Sequence, residues 1–327
     1  MKPRRIMAGA IALLFVFFCG CHSQSTDSNH QSEPSNSLRK SGTISISPSM
    51  SSMYLSELSQ HMDVESSCEI LEKSSYKEAM QTLLDGKSDV CAAPLSAVLK
   101  AQTQGEPVKI LCNLFQKGSA IVGNPQIDTL HELVGKKVAY VPDTMEYTLL
   151  RLKLEEDGVD CKKIEWQEME PEKMNHALSL GEIDAYCGDP VLAGEAIASG
   201  IGKVIAYPYQ EMLGYNNVVL VSTESAIESN RSWIQEVVDA NRQVVEMTAQ
   251  NQDFLQTKAK EKGWNPDTIL LEKDNFDWAW DMEEEYVIYT RNLASQMTQA
   301  GLLQQMPDID TLFDFTFLEK NSQEYLS

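Results

Sequence analysis

From Thr43 onward, short apolar runs alternate with longer amphipathic stretches. Thr43–Ser47, Cys68–Leu71, Val90–Ala92, Lys109–Leu114 and Ser119–Gly123 read as strands. Tyr54–Met62, Tyr76–Asp85 and Leu95–Gln104 read as helices between them. The same alternation then returns. Lys137–Tyr140, Ile164–Glu168, Ala185–Cys187 and Lys203–Tyr207 are strand-like, Glu146–Glu156, Glu172–Leu180 and Val191–Ser199 helix-like, and Asn217–Ser222 is a further strand. Strand and helix in turn at this spacing predict an α/β fold, a mostly parallel sheet with helices on both faces.

One local pattern occurs twice. Leu84-Asp85-Gly86-Lys87-Ser88-Asp89-Val90 is followed by Pro94, and Ser179-Leu180-Gly181-Glu182-Ile183-Asp184-Ala185 by Pro190. Each reads as helix, Gly, two residues, Asp, short strand, Pro. Gly supplies a left-handed helix stop and Pro suits the opening of the next helix. Two matching units suggest two similar lobes; a common helix-to-strand connection used twice is the alternative.

After Ser222 the strand pattern stops. Ala226–Gln250 is helical, with Ile234, Val237, Val238, Val244, Val245 and Met247 spaced for one buried face. Phe254–Glu261 and Glu283–Ala300 continue a helical C-terminal extension. Leu312, Phe313, Phe315 and Phe317 should fold back onto the body, and Trp278 and Trp280 should be core.

The N-terminus has a different character. Lys2, Arg4 and Arg5 precede an uncharged apolar run, Ile6 to Phe18, that is too short to span a bilayer. Gly20-Cys21 follows. This arrangement resembles a bacterial lipobox, although Phe18 and Cys19 depart from the Leu and small residue usual there. Residues 1–20 are therefore expected to be a lipoprotein signal peptide, and Cys21 the acylated (palmitate-bearing) first residue. Residues 21–42 are mostly Ser, Asn, Gln and His, with Leu38 the one large apolar side chain. They should form a flexible tether reaching about 25 Å. An uncleaved anchor or an ordinary secretion signal is the other reading.

The composition narrows the function. The net charge is −21, which excludes nucleic acid as a partner because phosphates need a basic face. The signal carries no acid, so the acidity belongs to the folded body, and a lipid would have to hold it at a membrane. Of seven Cys, five fall in the body, at Cys68, Cys91, Cys112, Cys161 and Cys187. None shows C-x-x-C or zinc spacing, and the residues read as small buried hydrophobes. No nucleophile elbow, phosphate-binding loop, dinucleotide fingerprint or metalloprotease motif occurs. His61, His131 and His176 are isolated, and His22 and His30 lie in the tether. The acidic runs Glu155-Glu156-Asp157 and Asp281 with Glu283-Glu284-Glu285 lack the order of a calcium loop. No catalytic residue, metal or cofactor is expected.

Three segments carry a family likeness: Leu133-Val134-Gly135-Lys136-Lys137-Val138-Ala139, Ala177 to Ala185, and Gly200-Ile201-Gly202-Lys203-Val204-Ile205. They resemble solute-binding proteins of ABC importers, in particular the nitrate, sulfonate, taurine and thiamine-precursor binders. The likeness covers Thr43 to about Gln250. It implies the type II periplasmic binding fold: two Rossmann-like lobes joined by two crossing strands, here Ser119–Gly123 and Asn217–Ser222. Lobe 1 would be 43–122 plus 222–327, and lobe 2 would be 123–221. It further implies a monomeric, extracytoplasmic protein in the cell envelope that delivers a small molecule to ABC permease subunits.

Ligands of open α/β sheets sit beyond the carboxyl ends of strands. On that rule the expected lining is Ser47, Ser49 and Met50; Pro94, Leu95 and Ser96; Ser119; Asp143, Thr144 and Met145; Tyr186 and Asp189; and Tyr215. Anion-binding members usually have a Gly-Ser type turn where this chain has Asp143-Thr144-Met145-Glu146. Two acids, Asp143 and Asp189, would repel an anion, so a neutral or cationic solute is expected, with Tyr186 or Tyr215 stacking on it. Asp143 could equally be a helix N-cap. The alternatives are a precursor-converting enzyme on the same fold, with Asp143 or Asp189 catalytic, and a ligand-sensing lobe for a signalling partner.

Overall fold

The structure is a computed structural model that describes residues 40–319 except 210–212, 214 and 252. The expected signal, Cys21 and nearly all of the tether lie outside the described residues. No helix among the described residues is long and apolar enough to cross a membrane.

The first half runs β1 (Ser41–Ile46), β2 (Ser67–Glu72), α1 (Tyr76–Leu84), β3 (Val90–Pro94), α2 (Leu95–Thr103) and β4 (Val108–Lys117). The chain then forms β5 (Ala120–Gly123), β6 (Lys137–Tyr140), α3 (Met145–Glu156), β7 (Glu165–Glu168), α4 (Pro171–Leu180), β8 (Ala185–Gly188), α5 (Pro190–Ser199) and β9 (Lys203–Ala206). It returns through β10 (Asn216–Thr223) to α6 (Glu224–Gln250), α7 (Phe254–Glu261), α8 (Pro266–Ile269), β11 (Phe276–Trp278) and α9 (Glu284–Gln299). Tyr54–Met62, expected as a helix, is a turn followed by a 3₁₀ segment, Leu55–Gln60.

Two sheets result. Strand order is β11-β4-β10-β3-β1-β2 in the first and β7-β6-β8-β5-β9 in the second. The expectation of mostly parallel sheets needs correction, because both are mixed. β1 pairs parallel with β2 and β3, and β6 with β7 and β8, so each connection crosses back over the sheet. β10 lies antiparallel between β3 and β4, and β5 antiparallel between β8 and β9. These are the two strands that arrive from the other sheet, and they enter running backwards. The chain changes sheet between Lys117 and Ala120 and again between Ala206 and Asn216. Strands also do not stop at Ser222, since β11 adds to the edge of β4. Three residues are too few for periodicity to reveal.

The repeated unit closes both connections alike. Gly86 (φ 68°) ends α1 and Gly181 (φ 70°) ends α4. Lys87 N–H returns to Thr82 O at 3.0 Å and Glu182 N–H to Ala177 O at 2.9 Å. Pro94 then leads into α2, and Pro190 is the first residue of α5.

On one face of the first sheet α6 buries Trp233, Ile234, Val237 and Val238 against Ile44, Ile46, Val90 and Leu114. Trp233 lies so close over Gly42 that a Cβ there would sit 2.5 Å from the indole. The opposite face carries α1, α2 and α9, and Met145, Leu149 and Leu152 of α3 join this same core. The tail folds back as expected, with Leu312 and Phe317 buried. Trp278 is half-buried between Tyr54 and Phe254, at 5.7 and 5.6 Å. All five body cysteines are free thiols, with Cys68 half-buried and the others buried.

Candidate ligand cleft

The strand ends of the two sheets meet, and two contacts flank the meeting place. On one side α3 packs on α2 and α9. On the other α5 approaches α8 so closely that a Cβ on Gly194 would lie 2.1 Å from the Thr268 carbonyl oxygen.

The loop after β1 contributes a hydroxyl network. Ser49 Oγ lies 2.9 Å from both Ser51 Oγ and the Tyr76 hydroxyl, and Ser51 Oγ is 3.1 Å from that hydroxyl. Ser52 Oγ donates to Ser47 O at 2.9 Å. Burial, and then the Glu146 charge, hold the Tyr76 phenol far above its ordinary value.

The second sheet contributes two carboxylates. Glu146 is the second residue of α3, half-buried, and bonds its own backbone N–H and the Thr144 hydroxyl. Burial pushes it up to about 7 against those bonds, and the charge of Asp189 adds to the rise. Asp189 caps α5, accepting Leu192 N–H at 3.0 Å. Burial pushes it up to about 6, while the N–H groups of Leu192 and Val191 pull it back. Glu146 also raises the Tyr209 phenol and the Cys187 thiol, behind burial in each case. Tyr209 in turn accepts the Ser119 N–H at the first crossing. Tyr76, Tyr209, Cys187, Glu146 and Asp189 therefore share one electrostatic neighbourhood, drawn from both sheets. Helix N-termini favour anions, and here the chain's own carboxylates occupy two of them.

The expected lining residues divide. Ser47 and Ser49 belong to the hydroxyl network, and Asp189 and Thr144 are caps; Thr144 accepts Tyr147 N–H at 3.3 Å. Asp143, at φ 62°, is not an N-cap: its carboxylate bonds Lys100 Nζ across the two halves at 2.5 Å. Ser96 Oγ, on a residue 2 % exposed, has no hydrogen-bond partner. Pro94, Met50, Leu95 and Met145 are buried in the first sheet's layers. Tyr186, expected to stack on a ligand, is 0 % exposed, and its hydroxyl donates to Asn175 Oδ1 at 2.6 Å. Tyr215 is 41 % exposed, with Lys117 Nζ 5.4 Å from its ring centre.

Tyr76, Lys100, Glu146 and Tyr209 were absent from the expected set. Glu146 alone had a local signal, an acid in the first turn of a helix directly after a strand end. The other three depend on the lobes coming together.

This architecture, two mixed sheets meeting at their strand ends with helices around them, is the type II periplasmic binding protein fold. Residues 62–254, more than half of the chain, match the NMT1/THI5-like family, and the chain belongs to that family. No curated protein matches the sequence. Solved structures do. The alkanesulfonate-binding protein SsuA from Xanthomonas axonopodis pv. citri, bound to MOPS, aligns with a TM-score of 0.71 at 16 % identity, covering 84 % of this chain and 98 % of that one. The periplasmic aliphatic sulphonate-binding protein SsuA from Escherichia coli aligns at 0.69 and 17 %, over 83 % and 91 %. The periplasmic nitrate-binding protein NrtA from Synechocystis PCC 6803 aligns at 0.73 and 12 %, over 88 % and 89 %. At these identities the likeness is one of fold.

Proposed function

We propose that this chain is a lipid-anchored, extracytoplasmic solute-binding protein that captures a small neutral or cationic molecule between two lobes and hands it to an ABC permease. Family membership and fold support the binding role. In this reading residues 1–20 are the signal, Cys21 carries the lipid, and 21–42 are the tether. Lobe 1 is 43–122 with 222–327, and lobe 2 is 123–221. The protein acts as a monomer and does no chemistry. Its mechanism is lobe closure driven by tighter binding in the closed form.

The observation that carries the solute's charge class is the pair Glu146 and Asp189. Each holds an α-helix N-terminus that an anion would otherwise take, and the charge of each adds to the rise that burial gives the Tyr76 phenol. A second anion placed there would meet like charge in a low-dielectric site. Ser47, Ser49, Ser96, Ser119, Asp143, Thr144, Asp189 and Tyr215 complete the polar lining, with Met50, Pro94, Leu95, Met145 and Tyr186 supporting it from the core.

Thermal-shift titration of the full chain against amines, aminopyrimidines, sulfonates and nitrate tests the reading. An amine-bearing or uncharged solute should raise the midpoint, and nitrate or sulfonate should not. A shift with sulfonate alone would overturn the charge class. No shift with any solute would overturn solute binding.

A further inference from the structure

A cavity of about 70 Å³ lies between α2, α3 and α9, where the two halves touch. Its polar lining comes from both. Ser96 and Lys100, one turn apart on α2, belong to the first half. Asp143 and Thr148, at the start of α3, belong to the second. Met297 and Leu302 form the apolar wall.

The charges at this cavity are opposite and adjacent. Lys100 Nζ and Asp143 Oδ1 are 2.5 Å apart, with side chains 43 % and 34 % exposed. Asp143 reaches Lys100 from a left-handed backbone at φ 62°, a conformation that Asp tolerates better than most residues. Ser96 Oγ lines the same space, buried and without a hydrogen-bond partner. A buried hydroxyl in that state calls for a polar group opposite it. Thr148 Oγ1 spends its proton on Thr144 O at 2.9 Å and so presents an acceptor.

A purely anionic guest would meet Asp143, and a purely cationic one would meet Lys100. A guest carrying both charges meets neither conflict. Its carboxylate can take Lys100 and Ser96 Oγ–H. Its ammonium can take Asp143 and the Thr148 oxygen. Allowing roughly 15 Å³ of such space per water-sized group, the cavity admits about five non-hydrogen atoms. Glycine has five such atoms and alanine six, so the volume sets the limit near that size.

We propose that the solute is a small zwitterion, an α-amino acid of the size of glycine or alanine, held at its two ends by Lys100 with Ser96 on one half and Asp143 with Thr148 on the other. This rests on the solute-binding reading above and narrows its neutral-or-cationic class to molecules of no net charge that carry an ammonium. Because each half supplies one charge, the complete site exists only when the halves are together, and the guest holds them there.

The test is calorimetric titration of the full chain with glycine, alanine, methylammonium, acetate and phenylalanine, repeated on Lys100→Met, Asp143→Asn and Ser96→Ala. Glycine or alanine should bind and the single-charge probes and phenylalanine should not. Lys100→Met and Asp143→Asn should each weaken binding at least about tenfold, the scale of losing a charged hydrogen bond. Ser96→Ala keeps both charges, so it guards against misfolding of the charge variants, and it should weaken binding by a smaller factor. Equal binding of methylammonium or acetate, or unchanged affinity in all three variants, overturns the proposal. If an aminopyrimidine or another amine binds while glycine and alanine do not, the zwitterion assignment falls and solute binding stands. If nothing binds, both fall.

Discussion

Asp89 and Asp184 do the same work at the same place in two different sheets. Asp89 Oδ2 accepts the Thr43 N–H at 2.8 Å at the start of β1, and Asp184 Oδ2 accepts the Lys137 N–H at 3.0 Å at the start of β6. The backbone answers in kind: Asp89 N–H donates to Thr43 O at 3.0 Å, and Asp184 N–H to Lys137 O at 2.7 Å. An asparagine completes each arrangement, Asn230 on Asp89 and Asn124 on Asp184, both at 3.2 Å. The parallel strand pair beside each helix stop is thus pinned at one end by a carboxylate, where the ladder alone would fray.

The two differ in burial, which makes the pairing testable. Asp89 is 5 % exposed and also takes the Thr43 hydroxyl at 3.2 Å; Asp184 is half-buried. Asp89→Ala takes the acceptor from the part-buried Thr43 N–H and leaves the Asn230 amide only the Ser41 carbonyl, and should cost about 2 kcal/mol. Asp184→Ala, with water near its partners, should cost about 1 kcal/mol. Urea unfolding of the two variants checks the order. Equal losses would mean that burial does not grade the two carboxylates, and losses near zero in both that neither pins its strands.

This device was legible in the sequence for a physical reason. The helix stop needs a left-handed residue, so Gly86 and Gly181 stand out, and a fixed spacing to Asp follows from the turn. The α/β alternation was legible because buried strands and amphipathic helices have different periods. Strand direction was not, because nothing local tells β5 or β10 that it arrives from another sheet. The site was legible only in part. Tyr186 was misjudged although its neighbours held the clue: Ala185 and Cys187 lie in one layer of the second sheet and Tyr186 in the other, against α4 and α5. The charge of Glu146 acts on Tyr76 from the other sheet, and the Lys100–Asp143 pair likewise joins residues far apart along the chain.

Gly194 reports on closure. Any side chain there drives into the backbone of α8, which cannot move aside as a flexible side chain would. Gly194→Ala should part α5 from α8 while leaving each sheet intact. Small-angle scattering should show a larger radius of gyration, and solute affinity should fall by about tenfold, as expected when the competent state becomes a minor population. An unchanged radius with unchanged affinity would show that this contact does not gate the cleft.

The thiols should be graded by burial. Burial pushes Cys68 and Cys91 both up to about 12, but Cys68 is half-buried and Cys91 is 0 % exposed. Neither thiolate is populated near neutral pH, so native labelling should be slow everywhere, with Cys68 first. Cys91, Cys112 and Cys187 should react only on unfolding. Peptide mapping after alkylation in buffer and in urea reads this out. Fast labelling of Cys187 in buffer would instead mean that its side of the cleft opens freely.

The sharpest prediction concerns pH. In the folded chain Glu146 titrates near 7, chiefly because burial disfavours its charge, whereas an unfolded Glu titrates near 4.5. The folded state therefore holds the proton more tightly than the unfolded state. Its contribution to stability is fully present below about pH 4.5 and is lost as pH rises through 7. Glu146→Gln keeps the shape and removes the charge. The variant and the parent should have nearly equal unfolding free energies at pH 4, and the variant should gain on the parent as pH rises, reaching an advantage on the order of 2 to 3 kcal/mol at pH 8. Urea melts of both proteins from pH 4 to 8 give the difference curve directly, and using the difference removes the other carboxylates. A difference that is flat in pH would show that Glu146 is solvated, and with it would go the argument that the cleft repels anions.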